Sequence, residues 1–120
     1  MADFPLRGQI WWVDFNPTIG SEQSGIRPAV IISNDVANQH SPVVTVVPMT
    51  RTVPKRPYPQ NVSVPANRPL PDASTIYCGQ VRTVSKQRLR DYRGDLEPEH
   101  LEAVNAALAK ALGLPTPRLG

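Results

Sequence analysis

Proline recurs fourteen times in these 120 residues and falls mostly between apolar runs, more than twice the ordinary usage of about 5%. Each proline fixes φ and removes a backbone donor, so it punctuates a chain rather than extending its ladders. Short strands with stiff connections are what such a sequence can build.

The runs between the prolines are rich in β-formers. Gln9 to Phe15, QIWWVDF, reads as a first strand closed by Asn16-Pro17. Trp11 and Trp12 then face opposite sides, one toward the core and the other placed to stack a base. Gly20 to Ser33, GSEQSGIRPAVIIS, follows. Its glycines can take positive φ, which makes Ser21, Glu22, Gln23 and Ser24 a tight polar excursion. Pro28 pushes Arg27 into an extended conformation where loop becomes strand, and Ala29 to Ile32 is apolar enough for a buried strand.

Asn34 to His40 is a connection with room for one helical turn, and Val43 to Thr50 is a long buried strand. Asn61 to Val64 alternates with period two. Thr75 to Val84 reads as one strand that Gly79 interrupts, by a bulge or a close approach, with Cys78 a small buried residue. Ser85 can cap a single helical turn. From Pro98 the period changes: Leu101, Val104, Leu108, Ala111 and Leu112 share one face of a helix that Pro98 opens and Gly113 stops, with His100 a solvated surface residue in its first turn. Five or six short strands and one terminal helix predict a mainly β, α+β domain, a small antiparallel barrel whose thin core calls for a homodimer.

One domain, residues 1–120, is what this length accommodates. No apolar run approaches the ~20 residues that cross a bilayer, and the first ten residues lack the pattern of a signal peptide. A single cysteine excludes an internal disulfide and a thiolate metal cluster, and fits a cytoplasmic protein. The net charge of +3 favours polyanionic partners. Its distribution is uneven: Arg51, Lys55 and Arg56 lie together without an acid, whereas Asp91, Asp95, Glu97, Glu99 and Glu102 cluster toward the C-terminus. The proline-stiffened loop from Arg51 to Gln60 reads either as a solvated hairpin loop or as a basic cover over a nucleic-acid strand, with Tyr58 available for stacking.

Walker A, dinucleotide-binding, HExxH and zinc-spacing motifs are all absent, and neither His40 nor His100 lies near a nucleophile elbow. What remains is a site of Arg27, Thr50, Ser21 and Glu22, with Gln80 and Arg82 as neighbours, requiring no metal or cofactor. Such a set suits RNA cleavage, because RNA carries its own nucleophile. The enzyme need only align the 2′-hydroxyl, move protons and stabilise charge on phosphorus, which a planar guanidinium does well.

These residues also carry a resemblance. RGQIWWVDFNPTIGSEQSGIRPAVIISND at Arg7 to Asp35, VVPMT at Val46 to Thr50 and QVRTVSKQRL at Gln80 to Leu89 resemble the MazF/PemK-type toxins of bacterial toxin–antitoxin pairs. The resemblance implies a small SH3-like barrel of the CcdB/PemK type with a C-terminal helix, acting as a homodimer. It further implies sequence-specific cleavage of single-stranded RNA without metal, through a 2′,3′-cyclic phosphate, and growth arrest. Arg27 and Thr50 match the family's catalytic arginine and threonine, and Glu22 is the titratable group of its GSEQ element. Ser21, Gln23, Arg51, Lys55, Arg56, Tyr58, Gln80 and Arg82 are then the substrate-binding candidates. The implied partner is a MazE-like antitoxin with a disordered acidic tail. One departure stands out: many relatives carry an acid where this chain has Gly79, so a mechanism that needs that acid would not operate here. Two other readings stay open, a CcdB-like topoisomerase poison, against which the ending Pro-Arg-Leu-Gly weighs, and a relative that binds RNA or antitoxin without cleaving.

Overall fold

The computed structural model describes residues 3–17, 19–20, 25–52, 54, 56 and 58–115. Among the described residues seven strands precede the terminal helix: β1 (Gln9–Asp14), β2 (Ile26–Ile31), β3 (Val43–Thr50), β4 (Asn61–Val64), β5 (Ser74–Tyr77), β6 (Arg82–Ser85) and β7 (Leu89–Asp95). Helix α1 (Asp35–His40) links β2 to β3, and α2 (Pro98–Leu112) closes the chain. The strands run β4-β5-β3-β2-β1-β7, all neighbours antiparallel, with β6 pairing the first half of β3. The expected mainly β class with a C-terminal helix is what the molecule has.

Strand β3 is the spine. Its alternating side chains feed two cores: Val44 and Val46 join Val13, Phe15, Ala29, Ile31 and Val84 on one face, while Val47 and Met49 join Ile10, Val30, Val62, Ile76 and Cys78 on the other. The second core is completed by Val104 and Ala107 of α2. Alternation along β1, β2 and β3 therefore divides one sheet into two buried faces, as a period-two pattern must. Helix α2 starts at Pro98 and ends on Gly113 at φ +68, the left-handed stop that glycine takes without a Cβ clash. Cys78 is wholly buried, and burial pushes its thiol up to about 12.

Arg27 stands at the loop-to-strand junction as expected, second in β2 and opposite Val13. Three expectations need correction. The run interrupted at Gly79 is two strands: β5 pairs the end of β3 and β6 its beginning, and the residues between them bow out. Strand β7 is an addition, because Leu89–Asp95 is largely exposed and polar and carries no apolar period for sequence reasoning to detect. His100 is half-buried rather than solvated.

Candidate active-site cleft

The cleft opens where the β2–β3 ladder stops, and Pro28 is the residue that stops it. Pairing of β2 with β3 stops at Ala29 opposite Pro48, and Pro28 is the next residue outward on β2. Ile32 donates to the Thr45 carbonyl, so the even-numbered residues of β2 carry the N–H groups that face β3, and Pro28 has none to offer: the ladder ends there. Ile26, Arg27 and Pro28 from one strand and Met49 and Thr50 from the other then wall an open cavity of about 340 Å³.

The two residues singled out most strongly by the sequence thus meet here. Arg27 is half-buried, and Thr50 is 7% exposed with its hydroxyl accepting from the Thr52 amide at 3.2 Å. Arg51 stands beside them at the rim in a solvent-exposed ion pair with Asp72, 3.3 Å apart. A pair so exposed is worth roughly 0–1 kcal/mol, so an incoming phosphate can replace the carboxylate at small cost.

Sequence reasoning missed part of the cleft. Trp12, not Trp11, is the tryptophan that faces it, and the Arg93 guanidinium lies 6.0 Å from the Trp12 ring centroid. Trp11 instead packs on the core near Tyr92. The opposite facing of the two tryptophans was legible in their adjacency, but Arg93 was hidden with the rest of β7.

Arg82 is not brought to the cleft. Its guanidinium donates to the Phe15 carbonyl at 2.9 Å and stacks 5.5 Å from the Phe15 ring. It belongs to a set of arginines that holds the end of β1: Arg88 donates to the carbonyls of Asp14 and Asn16, and Arg90 pairs with the Asp14 carboxylate at 3.0 Å. The Asn16 amide and Arg90 hold the Asp14 carboxyl below its ordinary range. Phe15 and Gly25 also bond across the gap, with the Phe15 amide donating to the Gly25 carbonyl at 2.9 Å and the Gly25 amide to the Asn16 side chain at 3.0 Å. The stem of the polar excursion is therefore pinned. Ser21, Glu22, Gln23 and Lys55 lie outside the described residues.

Tyr58 and Gln80 line a different depression, of about 320 Å³, together with Gln60, Asn61, Tyr77 and Gly79. Arg56 is exposed on the loop that leads to it and lines neither cavity. Among the described residues, Glu97, Glu99 and His100 bring three possible metal-ligand atoms within 4.8 Å of one another. None of the three lines the cleft, and Glu97 is engaged by Arg68 at 3.3 Å.

A curled antiparallel sheet with one terminal helix, carrying an arginine and a threonine across a parted pair of strands, defines the architecture of a small toxin of the PemK and MazF kind. Residues 6–112 match the family described as PemK-like, MazF-like toxin of type II toxin–antitoxin system, and the chain belongs to that family. Endoribonuclease EndoA of Bacillus subtilis is 38% identical over 109 residues, covering 90% of this chain and 94% of that protein. Endoribonuclease MazF of Staphylococcus saprophyticus is 39% identical over 113 residues, covering 93% and 94%. Among solved structures, an endoribonuclease in complex with its cognate antitoxin from a mycobacterial species superposes with a TM-score of 0.78 at 34% identity, covering 94% of this chain and 99% of that one.

Proposed function

We propose that this protein is the toxin of a toxin–antitoxin pair, a sequence-specific endoribonuclease that cleaves single-stranded RNA without a metal ion and thereby arrests growth. The observation that supports it most is the meeting of Arg27 and Thr50 in one cleft, on strands held rigid by two cores. In this reading the 2′-oxygen attacks phosphorus as its proton passes to Glu22. The bond to the 5′-oxygen breaks, that oxygen takes up a proton, and a 2′,3′-cyclic phosphate is left. Arg27 donates to the phosphoryl oxygens as charge builds and to the departing 5′-oxygen, while Thr50 hydrogen-bonds the phosphate. Arg51, Arg93 and Trp12 give the strand a cationic and aromatic track. Ser21 and Gln23 position the substrate, and the basic loop carrying Lys55 and Arg56 covers it.

The same cleft suits the acidic tail of an antitoxin, which would compete with RNA for the arginines and set apolar side chains against Ile26, Leu70 and Pro71. The working form is a homodimer in the cytoplasm. Among the described residues no helix is long and apolar enough to cross a membrane. The test is incubation with a long unstructured RNA and with DNA of matched sequence in excess EDTA. The reading expects discrete cuts in RNA alone, whereas intact RNA, or equal cutting of DNA, would overturn it.

A further inference from the structure

The second depression differs in chemistry from the cleft. Among the described residues its walls are two tyrosines, Tyr58 and Tyr77, three carboxamides, Gln60, Asn61 and Gln80, and Pro54 and Gly79, none of them charged. The backbone beneath is fixed: the Cys78 amide donates to the Gln60 carbonyl at 3.0 Å, the Asn61 amide to the Tyr58 carbonyl at 2.9 Å and the Gln80 amide to the Tyr77 carbonyl at 3.1 Å. Aromatic faces beside carboxamides, on a rigid frame, are what recognises an unstacked nucleobase, the rings by stacking and the amides by its hydrogen-bonding edge. At about 320 Å³ the depression lies at the small end of ligand sites, which run from roughly 300 to 1,000 Å³.

Gly79 explains how Gln60 comes to be there. The φ of Gly79 lies outside the left-handed region, so the backbone does not demand glycine. The approach of Gln60 is close: a Cβ at this position would stand 3.2 Å from Cγ of Gln60, tight enough that the side chain would have to shift by a few tenths of an ångström, and 3.6 Å from its Nε2. The Gln60 side chain lies against the bare face of position 79, its Cγ nearest and its carboxamide at van der Waals distance. A carboxylate only accepts, whereas a carboxamide donates and accepts, and the bidentate partner that a Gln or Asn suits best is adenine.

We propose that this depression is a nucleobase subsite and that Gln60, seated over Gly79, is its specificity-determining residue, giving the protein a preference for adenine at one position of its RNA site. The inference deepens the endoribonuclease reading and rests on it. Gln60→Glu keeps the length of the side chain but makes its end acceptor-only, which suits guanine, whose edge offers two adjacent donors. Gly79→Ala adds the methyl group that crowds Gln60 without changing its chemistry.

The experiment maps cut ends on one long RNA for the parent, Gln60→Glu and Gly79→Ala, each with its unfolding curve as a folding control. The expected result is a parent preference of roughly ten-fold to a hundred-fold for adenine at one position. Gln60→Glu should shift that position toward guanine and Gly79→Ala should blur it. Identical cut-site profiles for the three proteins would overturn the subsite while leaving the endoribonuclease reading intact. Should the parent leave RNA uncut, that reading falls, and 2′-O-methyl oligoribonucleotides differing in one base serve as the probe. Tighter binding of the adenine member by the parent but not by Gln60→Glu would sustain the subsite, and base-independent binding by both would overturn it.

Discussion

The two cavities sit on one scaffold and differ in chemistry. The cleft between β2 and β3 is mainly cationic: Arg27, Arg51 and Arg93 line it with Trp12, Thr50 and Asp72. The depression beside Gly79 is, among the described residues, uncharged and lined chiefly by amides and tyrosines. Charge serves phosphate, which is the same at every nucleotide, whereas neutral donors and acceptors serve base edges, which differ. If the proposed roles hold, catalysis and selectivity are separable by substitution. Both cavities nevertheless draw on one core, because Met49 floors the cleft and packs in the cluster that also holds Val62, Ile76 and Cys78 beneath the depression.

The sharpest division should come from Arg27→Ala. Removing a donor to a developing oxyanion costs about 10²–10³ in kcat, and RNA cleavage assays should show a loss of that size with the cut-site profile of the residual activity unchanged. Met49→Ala tests the shared foundation. Truncating a buried methionine costs about 2–5 kcal/mol, and a urea titration should show a lower midpoint together with weakened RNA binding at both cavities. Arg93→Ala should weaken RNA binding modestly and reduce the slope of log K against log salt by about 1. Gln80→Ala, on the neutral side, should leave that slope as it is. An equal change of slope in both variants would break the distinction between the cavities.

Two smaller effects concern the scaffold. Cys78, with its pKa raised from 9.0 to about 12, binds its proton more tightly folded than unfolded. Its contribution is therefore complete below pH 9 and is lost as the pH climbs toward 12, and a thiol reagent at neutral pH should modify it only after unfolding. Asp14 has the opposite sign. Its lowered pKa means that its contribution is present above the ordinary value of 3.8 and disappears as the pH falls through the lower, folded value. Arg90→Ala should remove part of that acid sensitivity while changing stability at pH 7 only slightly, since the pair is exposed.

The course of most strands was legible because Val43–Thr50 and Asn61–Val64 carry the apolar pattern that burial imposes, and α2 carries the helical one with its stop signals. Arg27 and Thr50 were legible as strand-end residues. Their grouping in one site was expected too; what the sequence did not show is the register that brings them together, with Ala29 opposite Pro48. Strand β7 and with it Arg93 escaped detection for want of periodicity. Arg82 looked like an RNA ligand by its charge alone, yet its partner is the Phe15 carbonyl, 67 residues away in the chain. Gln60 attracted no notice, because its place over Gly79 is set by the pairing of β4 with β5.

Single-turnover cleavage of one defined RNA in EDTA, with the new ends identified by mass spectrometry, tests the central claim most directly. The account predicts a 2′,3′-cyclic phosphate on the upstream fragment and a rate about 10²–10³ lower for Arg27→Ala at saturating protein. A 3′-hydroxyl end, or an Arg27→Ala protein that cleaves at the parent's rate, would contradict it.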